Sequence, residues 1–194
     1  MMFPLAITKE EVMEKPLQSY SGKVVIASDK KSIDAAVEEI NNFEIVGFDT
    51  EAKPTFKKGQ LRSISLVQVA IPEKVFLLRT MKDGMTDSIK SLLESNSICK
   101  VGIGLLDDYN LLKRLRSFEP AGFEDLNDTL EDLGAQNIGA RNLAAMILDI
   151  RISKSAQTSN WEAEQLSEKQ IRYAATDAWI CLEIYQKLQY WGYI

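Results

Sequence analysis

The stretch EIVGFDTEAKP, residues 44–54, sets two carboxylates, Asp49 and Glu51, one residue apart directly behind an apolar run. Ile45, Val46 and Phe48 read as part of a buried strand, and side chains at i and i+2 of a strand share a face. Asp49 and Glu51 therefore project side by side at the edge of whatever that run buries. Like charges held that close repel, so one carboxyl stays protonated unless a cation sits between them. A solvated strand end is the other reading of the pair. Tyr173 and Asp177, four residues apart among Ala174, Ala175 and Ile180, share one face of a helix. A phenol and a carboxylate on a largely apolar face need partners, because burying an unpaired charge is costly. A hydrogen-bonded structural pair would also satisfy them. Asp107 and Asp108 open a helix right after a strand, where acids cap the first turn and favour its dipole; taken alone, Asp108 reads as such a cap.

Taken together, these three sites offer four carboxylates in a chain with no histidine at all. The absence excludes Ser–His and Cys–His nucleophile pairs, His-ligated zinc and a histidine general base. Oxygen-only ligand sets suit Mg2+ or Mn2+. Clustered carboxylates holding two such ions about 4 Å apart are the machinery of phosphodiester hydrolysis, one ion acidifying a water and the other steadying the leaving oxygen. Tyr173, one turn from Asp177, is placed to orient that water.

The elements that must bring these residues together follow from periodicity. Residues 1–22 read as a polar lead-in, with a short helix near Lys9 to Glu14, and residues 23–194 as a single domain. Strands are predicted over 23–27, 44–51, 61–71, 74–79 and 98–104, and helices over 31–42, 84–95, 107–118, 140–149 and 167–191. FEDLNDTLEDLG reads as a short strand running into a helix, and Ser167 with Gln170 forms a capping-box pair ahead of the last helix. Strict alternation in LRSISLVQVAI puts Leu61, Ser63, Ser65, Val67 and Val69 on one face, and Ile64, Leu66, Gln68 and Ala70 on the other. The three runs that begin at residue 44 suggest an antiparallel meander. The order of three strands followed by alternating helices and strands predicts an α/β domain, a mixed central sheet with antiparallel first strands flanked by helices.

The chain has 194 residues, 45% apolar and 26% charged, with a net charge of −5, enough for one core and ordinary for a globular protein. That charge argues against a generally basic nucleic-acid coat, though not against a local basic groove. No apolar run approaches the ~20 residues of a membrane-spanning helix, and the N-terminus turns charged too early for a secretory signal. Cys99 and Cys181, far apart in apolar contexts, read as core thiols. A cytoplasmic protein is expected.

FDTE, VGIGLLDD and YAATDA resemble the three exonuclease motifs of the DEDD superfamily of 3′-5′ exonucleases, in its tyrosine-bearing (DEDDy) branch, whose mark is the spacing of Tyr173 and Asp177. Residues 159–188 and 21–29 are similar to the Werner-type exonuclease domain, and the resemblance extends over about residues 20–190. It implies a ribonuclease H-like fold and a 3′-5′ exonuclease that releases nucleoside 5′-monophosphates from a nucleic acid with the help of two divalent ions, Mg2+ or Mn2+. Carried over to this chain, Asp49 would bridge both ions, Glu51 and Asp177 would help hold the nucleophile-side ion, and Asp108 would hold the second. Tyr173 would position the attacking water. Family spacing from Gly104 selects Asp108 over Asp107, leaving Asp107 as a helix cap.

Such an enzyme must also grip a backbone. Basic residues occur at Lys53, Lys57, Lys58 and Arg62 after the first motif, at Lys113, Arg114 and Arg116 on the helix after Asp108, and at Arg151 and Lys154. Lys154 matches a lysine-bearing stretch of the Werner-type domain and is the expected phosphate contact, whereas residues 113–116 read as solvated helix surface. Leu66 and Gln68, on the strand after the acidic pair, are further expected substrate contacts, although core packing also suits Leu66. Trp161 and Trp179 read as packing residues. Werner-type domains usually carry an aromatic directly after the motif glutamate; here Ala52 stands there, so the terminal nucleotide would be gripped differently. The loop from Pro54 to Gly59 and the tail motif point to DNA, with a helicase or repair partner for any duplex. The alternatives are a ribonuclease D-like exoribonuclease, or a catalytically silent binding module, which would be expected to have lost a carboxylate.

Overall fold

Thirteen elements lie along residues 3–54 and 63–194, the residues described by the computed structural model. A short helix α1 (Lys9–Glu14) precedes β1 (Lys23–Ala27) and α2 (Lys30–Ile40). Next come β2 (Ile45–Ala52), β3 (Ile64–Ile71) and β4 (Lys74–Arg79), then α3 (Asp87–Leu93), β5 (Cys99–Gly102) and α4 (Leu106–Leu115). The chain closes with β6 (Phe123–Asp125), α5 (Leu126–Asp132), α6 (Ala140–Ile147) and the long α7 (Glu168–Tyr190). Ser167 and Gln170 form the capping box expected at the start of α7.

The six strands form one sheet in the order β1-β4-β3-β2-β5-β6. β2, β3 and β4 are the antiparallel meander, while β1 adds to β4, and β5 and β6 add beyond β2, all in parallel. β3 sits near the middle and is buried along its whole length, as a strand covered on both faces must be. One face carries α2, α3 and α4 over Ile33, Ile40, Phe48, Ile89 and Leu112. The other carries α7, with Trp161 fully buried against it and its ring 6.0 Å from that of Tyr173. Each large apolar side chain so buried contributes about 1.5–3 kcal/mol.

Two features set the position of α7. Gly47, on the same face of β2 as Asp49 and Glu51, lies so close under the helix that a Cβ there would come within 2.0 Å of the Ala178 carbonyl oxygen. Small Ala174 and Ala178 on the facing side of α7 complete that close approach. Asp177 is thereby lowered onto the sheet beside the first acidic pair.

The structure departs from strict alternation in β3. Glu51 pairs with Leu66, but the next residue, Ala52, pairs with Ile64, so Ser65 is an extra residue in the ladder. This bulge turns Ile64 to the α2–α4 face with Val67 and Val69, not to the face of Leu66. Leu61 lies outside the described residues. The N-terminal segment is also less polar in role than expected, because Phe3, Ile7 and Val12 are buried in a cluster with Leu143 and Ile184. Its far end is tied down where Gln18 N–H donates to the Arg151 carbonyl at 2.9 Å, and Arg151 N–H to that of Pro16 at 2.9 Å. Both cysteines are free thiols, and no helix among the described residues is long and apolar enough to cross a membrane.

Candidate active site and metal centre

Asp49 and Glu51 sit at the end of β2, and α7 brings Asp177 to them. One carboxylate oxygen from each lies within 4.8 Å of the others. Burial pushes the Asp49 carboxyl well above the usual carboxylate range, and the charges of Asp177, Asp108 and Glu51 push it further. Burial likewise pushes Asp177 up to about 7, against the opposing effects of the Tyr173 hydrogen bond and the Lys154 charge. The Tyr173 phenol donates to Asp177, and burial together with the neighbouring carboxylates raises its own pKa, so it stays a donor at neutral pH.

Asp108 arrives from the other side. It accepts a hydrogen bond from the Thr50 hydroxyl, which points away from Asp49 on β2, and it lines the same cavity without joining the tight trio. The turn that delivers it needs Gly104 in the left-handed region at φ 76°. The Asp125 carboxylate fixes that turn, accepting from Gly104 N–H at 2.9 Å and Leu105 N–H at 2.7 Å. Asp107 is not the cap expected of it. The N-cap of α4 is Leu105, with no side-chain cap, and Asp107 is exposed in the first turn, where it only favours the dipole.

These residues line a cavity of about 340 Å³. Lys154 is exposed and lines it as well. Leu66 and Gln68 are placed differently: they are 1% and 0% exposed and do not line the cavity, so a strand lying in it does not reach them. Leu66 packs under α7 beside Trp161, and Gln68 pairs in register with Asp49, its amide atoms buried without a hydrogen-bond partner among the described residues. Lys53 is committed to an ion pair with Glu162 at 2.9 Å and Arg116 to one with Asp87 at 2.7 Å. Lys57, Lys58 and Arg62 lie outside the described residues. Arg141, Ser153, Gln157 and Asn127 also line the cavity, and the sequence reading singled out none of them. They come from loops and helix ends between the motifs, where periodicity carries no signal.

The donor set fits divalent cations. It is all oxygen, it gathers carboxylates whose charges add to burial in raising the proton affinity of Asp49, and neither Asp49 nor Asp177 forms an ion pair among the described residues. Asp49, Glu51 and Asp177 would hold one ion, and Asp49 with Asp108 a second.

The chain matches the protein family described as 3'-5' exonuclease over residues 24–190. It is 30% identical to the bifunctional 3'-5' exonuclease/ATP-dependent helicase WRN of Mus musculus, a match covering 94% of this chain and 14% of that protein. It is 25% identical to a 3'-5' exonuclease of Arabidopsis thaliana, over 90% of this chain and 66% of that one. The chain thus spans less than two thirds of the length of either relative. Among solved structures, the EXO domain of Aedes aegypti Nibbler superposes with a TM-score of 0.79 at 22% identity, covering 89% of this chain and 93% of that one. That likeness is one of fold, the ribonuclease H-like arrangement of a mixed sheet between helices.

Proposed function

This chain belongs to the 3′-5′ exonuclease family, and on that premise we propose that it removes nucleotides one at a time from the 3′ end of a DNA strand, releasing nucleoside 5′-monophosphates. One observation carries the reading: carboxylates from the end of a strand and from a helix more than a hundred residues later meet within 4.8 Å at the wall of a cavity. Asp49, Glu51, Asp177 and Asp108 would hold two divalent ions, Mg2+ or Mn2+. When bound, such ions supply an acidified water and neutralise charge at the leaving oxygen. Tyr173 orients the attacking water through its hydroxyl, which remains protonated at working pH. This is the role of the tyrosine in the DEDDy branch. Lys154 and Arg141 face the same cavity and place positive charge against the phosphate. Residues 23–194 form the exonuclease domain, with the N-terminal segment packed onto it.

DNA rests on the similarity of residues 159–188 to the Werner-type domain. The test is a 5′-labelled single strand, as DNA and in parallel as RNA, incubated with Mn2+. The DNA should shorten stepwise from its 3′ end and yield 5′-monophosphates. Faster shortening of the RNA would reverse the sugar preference, and stoichiometric binding without shortening of either would leave only a binding module. Tyr173→Phe should lower kcat about 100-fold, the scale of a lost proton-handling group, with Mn2+ affinity unchanged. Equal loss of both would remove the water-orienting role.

A further inference from the structure

Beside the active-site cavity runs a second depression of about 670 Å³, between α1 and the first turn of α6. It shares Gly139, Ala140, Arg141 and Lys154 with the active-site cavity, so the two adjoin. Its lining includes Lys9, Arg141 and Lys154 and no aspartate or glutamate. In a chain of net charge −5 that balance is local and specific. On the opposite flank of Tyr173, the concavity sets Glu168 beside Lys169 and Arg172. Beyond β6, another is lined by Glu124, Asp125, Asp128 and Asp132.

Neither Lys9 nor Arg141 forms an ion pair among the described residues. Arg141 also has its Nε buried without a partner among them. Its terminal nitrogen meets the Met13 thioether at 3.9 Å, and the Arg151 guanidinium meets the same sulfur at 3.7 Å. A thioether is a weak acceptor and carries no charge, so two guanidiniums converging on it repel each other. An anion in the groove relieves that repulsion. The first turn of α6 adds to this, since its N-cap is Gly139 and no side chain caps it. The exposed Met13 and the half-buried Ile138 give the same groove an apolar wall, with Ile7 and Val12 buried beneath it. Cations that track a backbone, beside apolar surface for sugars and bases, are what a single strand binds.

We propose that this groove holds the phosphodiester backbone of the nucleotides immediately 5′ of the scissile bond. Arg141 and Lys9 meet successive phosphates, and α1 forms one wall. The direction of the strand rests on the exonuclease reading, in which the carboxylates hold the 3′ end. The groove has roughly twice the volume of the active-site cavity, so the grip covers more than the terminal residue, and a dinucleotide leaves most of it unused. The N-terminal segment thereby becomes part of the substrate site.

The test is fluorescence anisotropy with a 5′-labelled twelve-nucleotide single strand in EDTA, over a series of salt concentrations, followed by turnover with Mn2+ on that strand and on a dinucleotide. Arg141→Ala and Lys9→Glu should each weaken binding several-fold and flatten the plot of log affinity against log salt by about 0.7 per lost phosphate contact. In both variants the ratio of kcat/KM for the long strand over the dinucleotide should fall by a similar factor. Lys9 opens α1, where glutamate suits the dipole, so Lys9→Glu does not threaten folding. Lys113→Glu, on the exposed side of α4, should keep the wild-type slope. If Arg141→Ala and Lys9→Glu keep both the wild-type slope and the wild-type ratio, the groove assignment is wrong. A wild-type protein that binds with the full slope, loses it in those two variants, and never shortens a strand would overturn the exonuclease reading alone.

Discussion

At the scale of single residues, the site gathers carboxylates in a buried setting, and neither Asp49 nor Asp177 forms an ion pair among the described residues. Burial, with added repulsion from the neighbouring carboxylates, raises the proton affinity of Asp49, and burial alone brings Asp177 to about 7, from an ordinary value of 3.8. The sign follows directly. Between 3.8 and about 7 the folded protein keeps a proton on Asp177 that the unfolded chain has lost, so stability falls as pH rises through that window. Above it the full cost is present. The metal-free protein should therefore melt progressively lower as pH climbs toward neutral, and Asp177→Asn should raise its Tm at pH 8 while abolishing turnover. The gain is about 2–4 °C for each kcal/mol of charge-burial cost relieved in a chain of this size. A metal-free Tm that is unchanged or lower in Asp177→Asn at pH 8 would contradict the electrostatic account. The acids themselves were legible in the sequence because their spacing states which face each one takes. Asp125 was not, because its carboxylate reaches back to the Gly104–Leu105 turn across 20 residues, a closure that no local pattern announces.

At the scale of elements, the decisive contact is α7 on β2. A helix can sit that low only where the strand offers no Cβ, and Gly47 is the residue that allows it. Gly47→Ala forces the Ala178 carbonyl to move, which should cost about 1–3 kcal/mol as overpacking and draw Asp177 away from Asp49. Thermal melts should show that loss, and Mn2+ should protect the variant less than the wild type. Full Mn2+ protection of a destabilised variant would mean that α7 can shift without disturbing the site. The strands and helices were legible from periodicity, down to the capping box of α7. The bulge at Ser65 was not, because β3 is buried on both faces and apolar residues there carry no information about which face each takes. It sits across from the Glu51–Ala52 step, where a change of register alters how the end of the acidic strand is presented.

At the scale of the whole molecule, an acidic chain sets a basic depression beside an acidic site. The carboxylates collect at the end of the antiparallel meander, while Lys9, Arg141 and Lys154 line the depression that leads to them. The N-terminal segment, which the sequence presents as a charged lead-in, packs Phe3, Ile7 and Val12 against α6 and α7 and forms a wall of that depression. Its three apolar anchors are scattered among polar residues and gain meaning only from the surface they meet. The fold class followed from element order and the motif residues from their spacing. The depression beside the site depends on which loops and helix ends come together, and no local pattern announces that.

The central claim is that these distant acids form one site for divalent cations, and Mn2+ titration of the metal-free protein, counted by electron paramagnetic resonance, tests it most directly. The account predicts saturable uptake of two ions per chain, lost in Asp49→Ala and accompanied by a rise in Tm. A folded wild-type protein that takes up no Mn2+ at millimolar concentration, or one whose uptake is untouched by Asp49→Ala, would contradict it.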